Sequence, residues 1–154
     1  MVRYNEFPCG KCNVEVAEFR VGTAEKEYHI MLHPAAEEDF EKQYKALDDA
    51  LESFIREKAP MAVPVFMRWF LSDSASQQEM VASGPHPCAV SIVEQPPLDG
   101  SKVALCVYLM KDVEVSEAEA GLWEVRQGDL RHLWMGGSFV RGGDSESQMR
   151  VLFE

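Results

Sequence analysis

A chain of 154 residues and 17.4 kDa, 46% of them hydrophobic, suits one domain of ordinary size with a real core. Its formal charge of -11 and pI near 4.8 exclude the basic footprint that a nucleic-acid backbone or an anionic membrane surface demands, so neither is expected as a partner. No apolar run reaches the roughly 20 residues that span a bilayer, the first residues are no signal peptide, and the four cysteines are too few and too uneven for a secreted disulfide framework; a soluble cytoplasmic protein with reduced thiols is the expectation.

Taken in order, residues 13–22 alternate Val14, Val16 and Phe19 with polar side chains, and residues 27–33 form a second strand-like run, which together predict an opening hairpin. The period then changes. Phe40, Tyr44, Leu47, Leu51, Phe54 and Ile55 lay one apolar stripe along a helix over about 36–58, with Pro34 at its entry, Glu37, Glu38 and Asp39 in the first turn and Pro60 as its stop. Residues 62–72 read as a strand buried on both faces, with Val65, Met67, Trp69 and Leu71 on one side and Phe66, Arg68 and Phe70 on the other. An arginine in such company needs a carboxylate or carbonyl partner. Residues 72–83 predict a short helix capped by Asp73 or Ser74 and closed by Gly84 and Pro85.

The stretch 87–110 is read as two extended arms joined by the turn Pro97-Leu98-Asp99-Gly100. Its second arm is apolar at Val103, Leu105, Val107 and Leu109 and again at Ala104, Cys106, Tyr108 and Met110, so it must be covered on both faces. One cover can be a helix of the chain; the other must come from a further layer or a further subunit. Together these elements predict an α+β fold, a mixed β-sheet with one long and one short helix on one face.

Residues 112–120 are acidic and read as a linker. After it, residues 121–128 and 130–139 resemble a second opening hairpin. Residues 28–32 compare with 131–135, and 43–47 with 148–152, at an offset of 103 to 105. The expected organisation is therefore a domain over 1–111 and, over 112–154, a linker plus the incomplete start of a second similar unit. That start leaves Leu133, Trp134, Phe139 and Phe153 in need of a host.

From Glu38 to Met110 the pattern resembles the RidA/YjgF family. Three features carry it: the helix around Phe40 to Phe54, the strand ending Phe70-Leu71-Ser72-Asp73, and the Pro97-Leu98-Asp99-Gly100 turn where that family often has Leu-Pro-x-Gly. The doubled arrangement is also similar to the chorismatase branch of the family. The resemblance implies a chorismate-mutase-like fold assembling as a trimer, with small-molecule clefts between subunits. It also implies an arginine that grips a substrate carboxylate and an acidic residue that positions water. Alignment on the Gly100 turn puts Ala89 at the first position and Leu105 or Cys106 at the second, so the usual imine deaminase chemistry is not expected.

The candidate ligand-binding residues are Arg68, Ser91, Gln95 and Lys102; the alternative for Arg68 is a structural ion pair, and for the others unemployed strand-end polar groups. Arg131, His132 and Trp134 are candidates for a second half-site. No catalytic residue, metal or cofactor is assigned. The Cys9-Gly10-Lys11-Cys12 motif has no second ligand pair at zinc spacing, and His29 and His33, four apart in a strand, stand about 13 Å from each other. The expected function is binding of a small metabolite between the subunits of a homo-oligomer. The alternatives are an imine deaminase or chorismatase-like hydrolase acting through Arg68 or Lys102, and a non-catalytic assembly module.

Overall fold

The computed structural model describes residues 2–21, 25–137 and 142–153. In chain order the elements are β1 (Val2–Cys9), β2 (Cys12–Val21), β3 (Glu25–Pro34), α1 (Phe40–Lys58), β4 (Ala62–Leu71), α2 (Ser74–Ser83), β5 (Ala89–Glu94), β6 (Val103–Lys111), β7 (Glu114–Glu119), β8 (Leu122–Gln127), β9 (Leu130–Met135) and α3 (Ser145–Phe153). The main sheet has six strands in the order β1-β2-β3-β6-β4-β5, and β7-β8-β9 form a second sheet. Only β4 and β5 run parallel; the other pairs are antiparallel. The expected α+β class with a mixed sheet is what forms. No helix among the described residues is long and apolar enough to cross a membrane.

α1 forms where the stripe placed it, burying Leu47, Ala50, Leu51 and Phe54 against the sheet. Its start is later than expected. Asp39 is the N-cap, accepting from the Lys42 N–H, whereas Pro34 closes β3, so Glu37 and Glu38 precede the helix. α2 lies on the same face, sending Val81 into the common core beside Trp69 and Leu71. On that face β2 contributes Val14 and Val16, β3 Tyr28, Ile30 and Leu32, and β6 Val103, Leu105, Val107 and Leu109, all buried. Each such side chain contributes about 1.5–3 kcal/mol relative to exposure.

One carboxylate pays for this packing. Asp48 on α1 is half-buried, and burial pushes its pKa up to about 6, with His86 opposing and Glu52 and Asp49 adding to the rise. The unfolded chain ionises near 3.8, so stability falls as pH rises from about 4 through 6 and stays reduced above. Asp48→Asn is expected to stabilise the protein by about 2 kcal/mol at pH 7 and to change little below pH 4. Denaturant titrations at the two pH values check this; equal effects at both would remove the explanation.

Three expectations are corrected. The arms of 87–110 do not pair with each other: β4 lies between β5 and β6, and β5 runs parallel to it. The turn itself exists, with Gly100 at φ 83 and its N–H donating to the Pro97 carbonyl, but it belongs to a connection that steps over a strand. A doubly apolar β4 gains a neighbour on each side this way. The acidic stretch after Lys111 is not a linker but β7, whose glutamates are exposed. Val65 does not share a face with Met67: a register shift between Pro64 and Phe66 turns it to the opposite side, where it is fully buried.

α1 and α2 both pack on the first side, and on the opposite side the second sheet covers part of the main sheet. Val65, Met110 and Val125 form a small core there with Tyr108, Val113, Val115 and Trp134. The Trp134 ring lies 5.6 Å from that of Phe66 and 5.4 Å from that of Tyr108. The second cover over β6, left open between a further layer and a further subunit, is over this part a layer of the same chain.

The second sheet also echoes the first three strands. β1-β2-β3-α1 and β7-β8-β9-α3 are each a three-stranded meander followed by a helix. Asp39 and Asp144 both cap by accepting from the N–H three residues on, from Lys42 and Ser147. Gln43 and Gln148 both turn their side-chain amides back onto carbonyls of the preceding loop. These pairs repeat at an offset of 105 in the numbering. Leu133 is exposed and Trp134 is half-buried; Phe139 and the Phe153 side chain lie outside the described residues.

Candidate functional site

The period of two fixes which side chains the face opposite α1 and α2 presents. In register across the six strands, one line reads Glu6, Glu15, Met31, Cys106, Arg68 and Ser91. The next line reads Tyr4, Ala17, His29, Tyr108, Phe66 and Ala89. Trp134 sits on the Tyr108 and Phe66 end of the second line. The other end is open, and there a cavity of about 500 Å3 is lined by Tyr4, Glu6, Glu15, His29, Met31 and Cys106 among others.

His29 stacks on Tyr108 with ring centres 4.4 Å apart, and the Tyr108 hydroxyl donates to Glu27 Oε2 at 2.6 Å. Burial first, and then that bond to a carboxylate, push the Tyr108 phenol well above its usual range, so it stays a neutral donor. Burial also raises the Cys106 thiol, against the lowering effect of the Arg68 guanidinium opposite. Cys106 is therefore no ready nucleophile at neutral pH.

Arg68 is exposed, its guanidinium 5.4 Å from the Phe66 ring. Among the described residues its side chain has neither a hydrogen bond nor an ion pair, so the partner expected for it is missing. It escapes the cost of burial by facing solvent rather than by pairing. Ser91 is its register partner on β5, so these two predicted residues come together. Gln95 and Lys102 do not join them. Gln95 follows β5, its backbone N–H on the Leu71 carbonyl, and is exposed. Lys102 precedes β6, its N–H held by Gln43 Oε1 at 2.7 Å, and it lines a separate cleft with Asp39, Phe40, Ser72, Asp73 and Met80.

Neither a protein-family model, nor a curated protein, nor a solved structure matches the chain. The site stands on its geometry. Ala89 is buried opposite Phe66, two residues from Ser91 on the same strand face, while Cys106 is directly opposite Arg68. Both positions on this face singled out for absent chemistry thus adjoin Arg68; Leu105 is in the core.

The other candidates separate. Arg131 pairs with Glu124, as does Arg126, on the outer side of the second sheet, while Trp134 turns toward the main sheet. Arg131 therefore stands apart, whereas His132, opposite the buried Val125 and two residues from Trp134 on β9, shares the inward face with Trp134. Cys9 and Cys12 face each other across the Gly10-Lys11 turn as free thiols, Cys12 pushed up to about 11, chiefly by burial. No group of three or more metal-binding side chains is present among the described residues. His33 is held by Asp99, Nδ1 to Oδ2 at 3.0 Å. Tyr4, Glu6, Glu15 and His29 are not marked as a set by the sequence. The alternate phase of β2 offers a signal for Glu15, but no alternation marks β1 as a strand.

Proposed function

We propose that the chain is a RidA/YjgF-like protein that binds a small carboxylate-bearing metabolite on the face of its main sheet opposite α1 and α2, without the imine deaminase chemistry of that family. The observation that carries this reading is Arg68, which makes no hydrogen bond or ion pair among the described residues, lies over the Phe66 ring and stands in register with Ser91 on a sheet face that also carries Tyr108 and Met31. A planar fork of donors suits a carboxylate held by two hydrogen bonds, and Ser91 can add a third. The neighbouring cavity accommodates the body of the ligand. The absence of an acidic residue at Cys106 and the raised thiol there support binding without turnover. In a homo-oligomer, a trimer by the resemblance, another copy closes over the open side of this face.

Calorimetric titration with a panel of short 2-oxo acids and their methyl esters tests the reading. Acids are expected to bind and esters not. Arg68→Ala should weaken the acids by about 10- to 100-fold, the worth of one charge-assisted pair, while the melting temperature stays within a degree or two because the side chain is exposed. Esters that bind as well as acids would refute the carboxylate reading. An imine generated in situ from an amino acid should hydrolyse at its uncatalysed rate. Acceleration lost in Arg68→Ala or Lys102→Ala would restore the enzyme reading.

A further inference from the structure

The line of register neighbours from β1 to β5 is chemically graded, and the ligand this grading selects rests on the carboxylate reading of Arg68. Two carboxylates, Glu6 and Glu15, stand directly opposite each other at one end; a thioether and a thiol, Met31 and Cys106, occupy the middle; a guanidinium and a hydroxyl, Arg68 and Ser91, stand at the other end. Like charges placed across a strand pair repel, so Glu6 and Glu15 favour a cation. Asn13 Nδ2 donates to Glu6 Oε1 at 2.7 Å, which satisfies one oxygen of that pair without neutralising its charge. The Glu15 side chain, like that of Arg68, makes no hydrogen bond or ion pair among the described residues.

An anion and a cation thus both face solvent on one line with no protein partner among the described residues, and the sheet keeps them apart. β2 and β4 are separated by β3 and β6, so Glu15 and Arg68 sit three strand spacings, roughly 14 Å, apart at the backbone. A ligand that meets both side chains above the sheet would span roughly 7–10 Å, the backbone interval less the inward reach of each side chain. The cavity lies over the acidic and middle portions of this line, lined by Glu6, Glu15, Met31 and Cys106 and by His29, whose ring stacks on that of Tyr108.

We propose that this strip binds an extended zwitterion, its carboxylate on Arg68 and Ser91 and its ammonium on Glu15 and Glu6, with an apolar middle over Met31 and Cys106. An ordinary α-amino acid, whose charges are adjacent, spans too little. An ω-amino acid of about eight carbons, or a peptide of two or three residues at about 3.3–3.6 Å per residue, spans the interval.

The test uses 8-aminooctanoate and octanoate, which share the carboxylate and the chain and differ in the ammonium, titrated into the full chain and two variants. Wild type is expected to bind 8-aminooctanoate more tightly than glycine. Glu15→Gln should weaken 8-aminooctanoate three- to tenfold and leave octanoate unchanged or tighter, whereas Arg68→Ala should weaken both. If Arg68→Ala weakens both ligands and Glu15→Gln neither, the carboxylate site stands and the dipolar strip is overturned. If 8-aminooctanoate, octanoate and the 2-oxo acids all fail to bind, both readings fall together. A salt-sensitive dimer that Glu15→Gln dissolves, with no 8-aminooctanoate bound, also overturns the strip as a ligand site. It assigns the unmatched charges to a second copy instead.

Discussion

Gln43→Leu is expected to destabilise the protein by about 4 kcal/mol, although leucine suits the apolar stripe of α1 better than glutamine does. Gln43 is 1% exposed, and its amide nitrogen donates to the carbonyls of Ala35, Ala36 and Glu38 at 3.1, 3.2 and 3.1 Å. Its oxygen accepts the Lys102 N–H at 2.7 Å. One side chain therefore ties the loop before α1 to the residue that leads into β6. Leucine leaves the Lys102 N–H and the loop carbonyls without partners in a place water reaches poorly, at about 1–3 kcal/mol for each group stranded. Urea unfolding should show a lower midpoint with an unchanged slope. A loss under 1 kcal/mol would mean that the loop and β6 find other partners, and that Gln43 is not the clasp its geometry describes.

Gly136→Ala is expected to dislodge the second sheet. A Cβ built on Gly136 falls 2.1 Å from the Val90 carbonyl oxygen and 2.5 Å from both the Val90 carbonyl carbon and nitrogen. These are backbone atoms of β5 and cannot swing aside, so β9 must shift away from the edge it abuts. Trp134 then loses its place against Phe66 and Tyr108. Overpacking of this kind costs about 1–3 kcal/mol, and the loss should fall on the second sheet first. Limited proteolysis should open sites between residues 112 and 137 while β1–β6 remain protected, and tryptophan emission should shift to the red. Unchanged proteolysis and emission would show a seam loose enough to admit the extra methyl.

Most of the main sheet was legible because its strands and helices are half-buried or fully buried, and burial writes a period into the sequence. α1, β4 and β6 fall within a few residues of where the apolar spacing put them, and α2 where its cap and stop residues put it. β1 and β7 were not legible for the converse reason. β1 is an edge strand exposed along nearly its whole length, and β7 turns three glutamates to solvent, so neither carries an alternation to read. The pairing of β5 with β4 was hidden too: a Pro-Leu-Asp-Gly turn between two apolar arms signals a hairpin, and only the third strand inserted between them contradicts it. For the site, Arg68 and Ser91 were found by residue type, but their adjacency depends on that unexpected pairing. Glu6 and Tyr4 were lost with β1, and with them the acidic end of the strip.

The position of β6 has a consequence for how the chain is made. β6 is the last strand of the main sheet to be synthesised, yet it lies between β3 and β4, near the middle of the strand order. During translation the β1–β3 meander and the β4–β5 pair must wait as two separate halves, each with an unzipped inner border, until residue 111 has cleared the ribosome. Nascent chains stalled just short of that length should be the ones that chaperones hold longest, and release of β6 should close both borders in a single step.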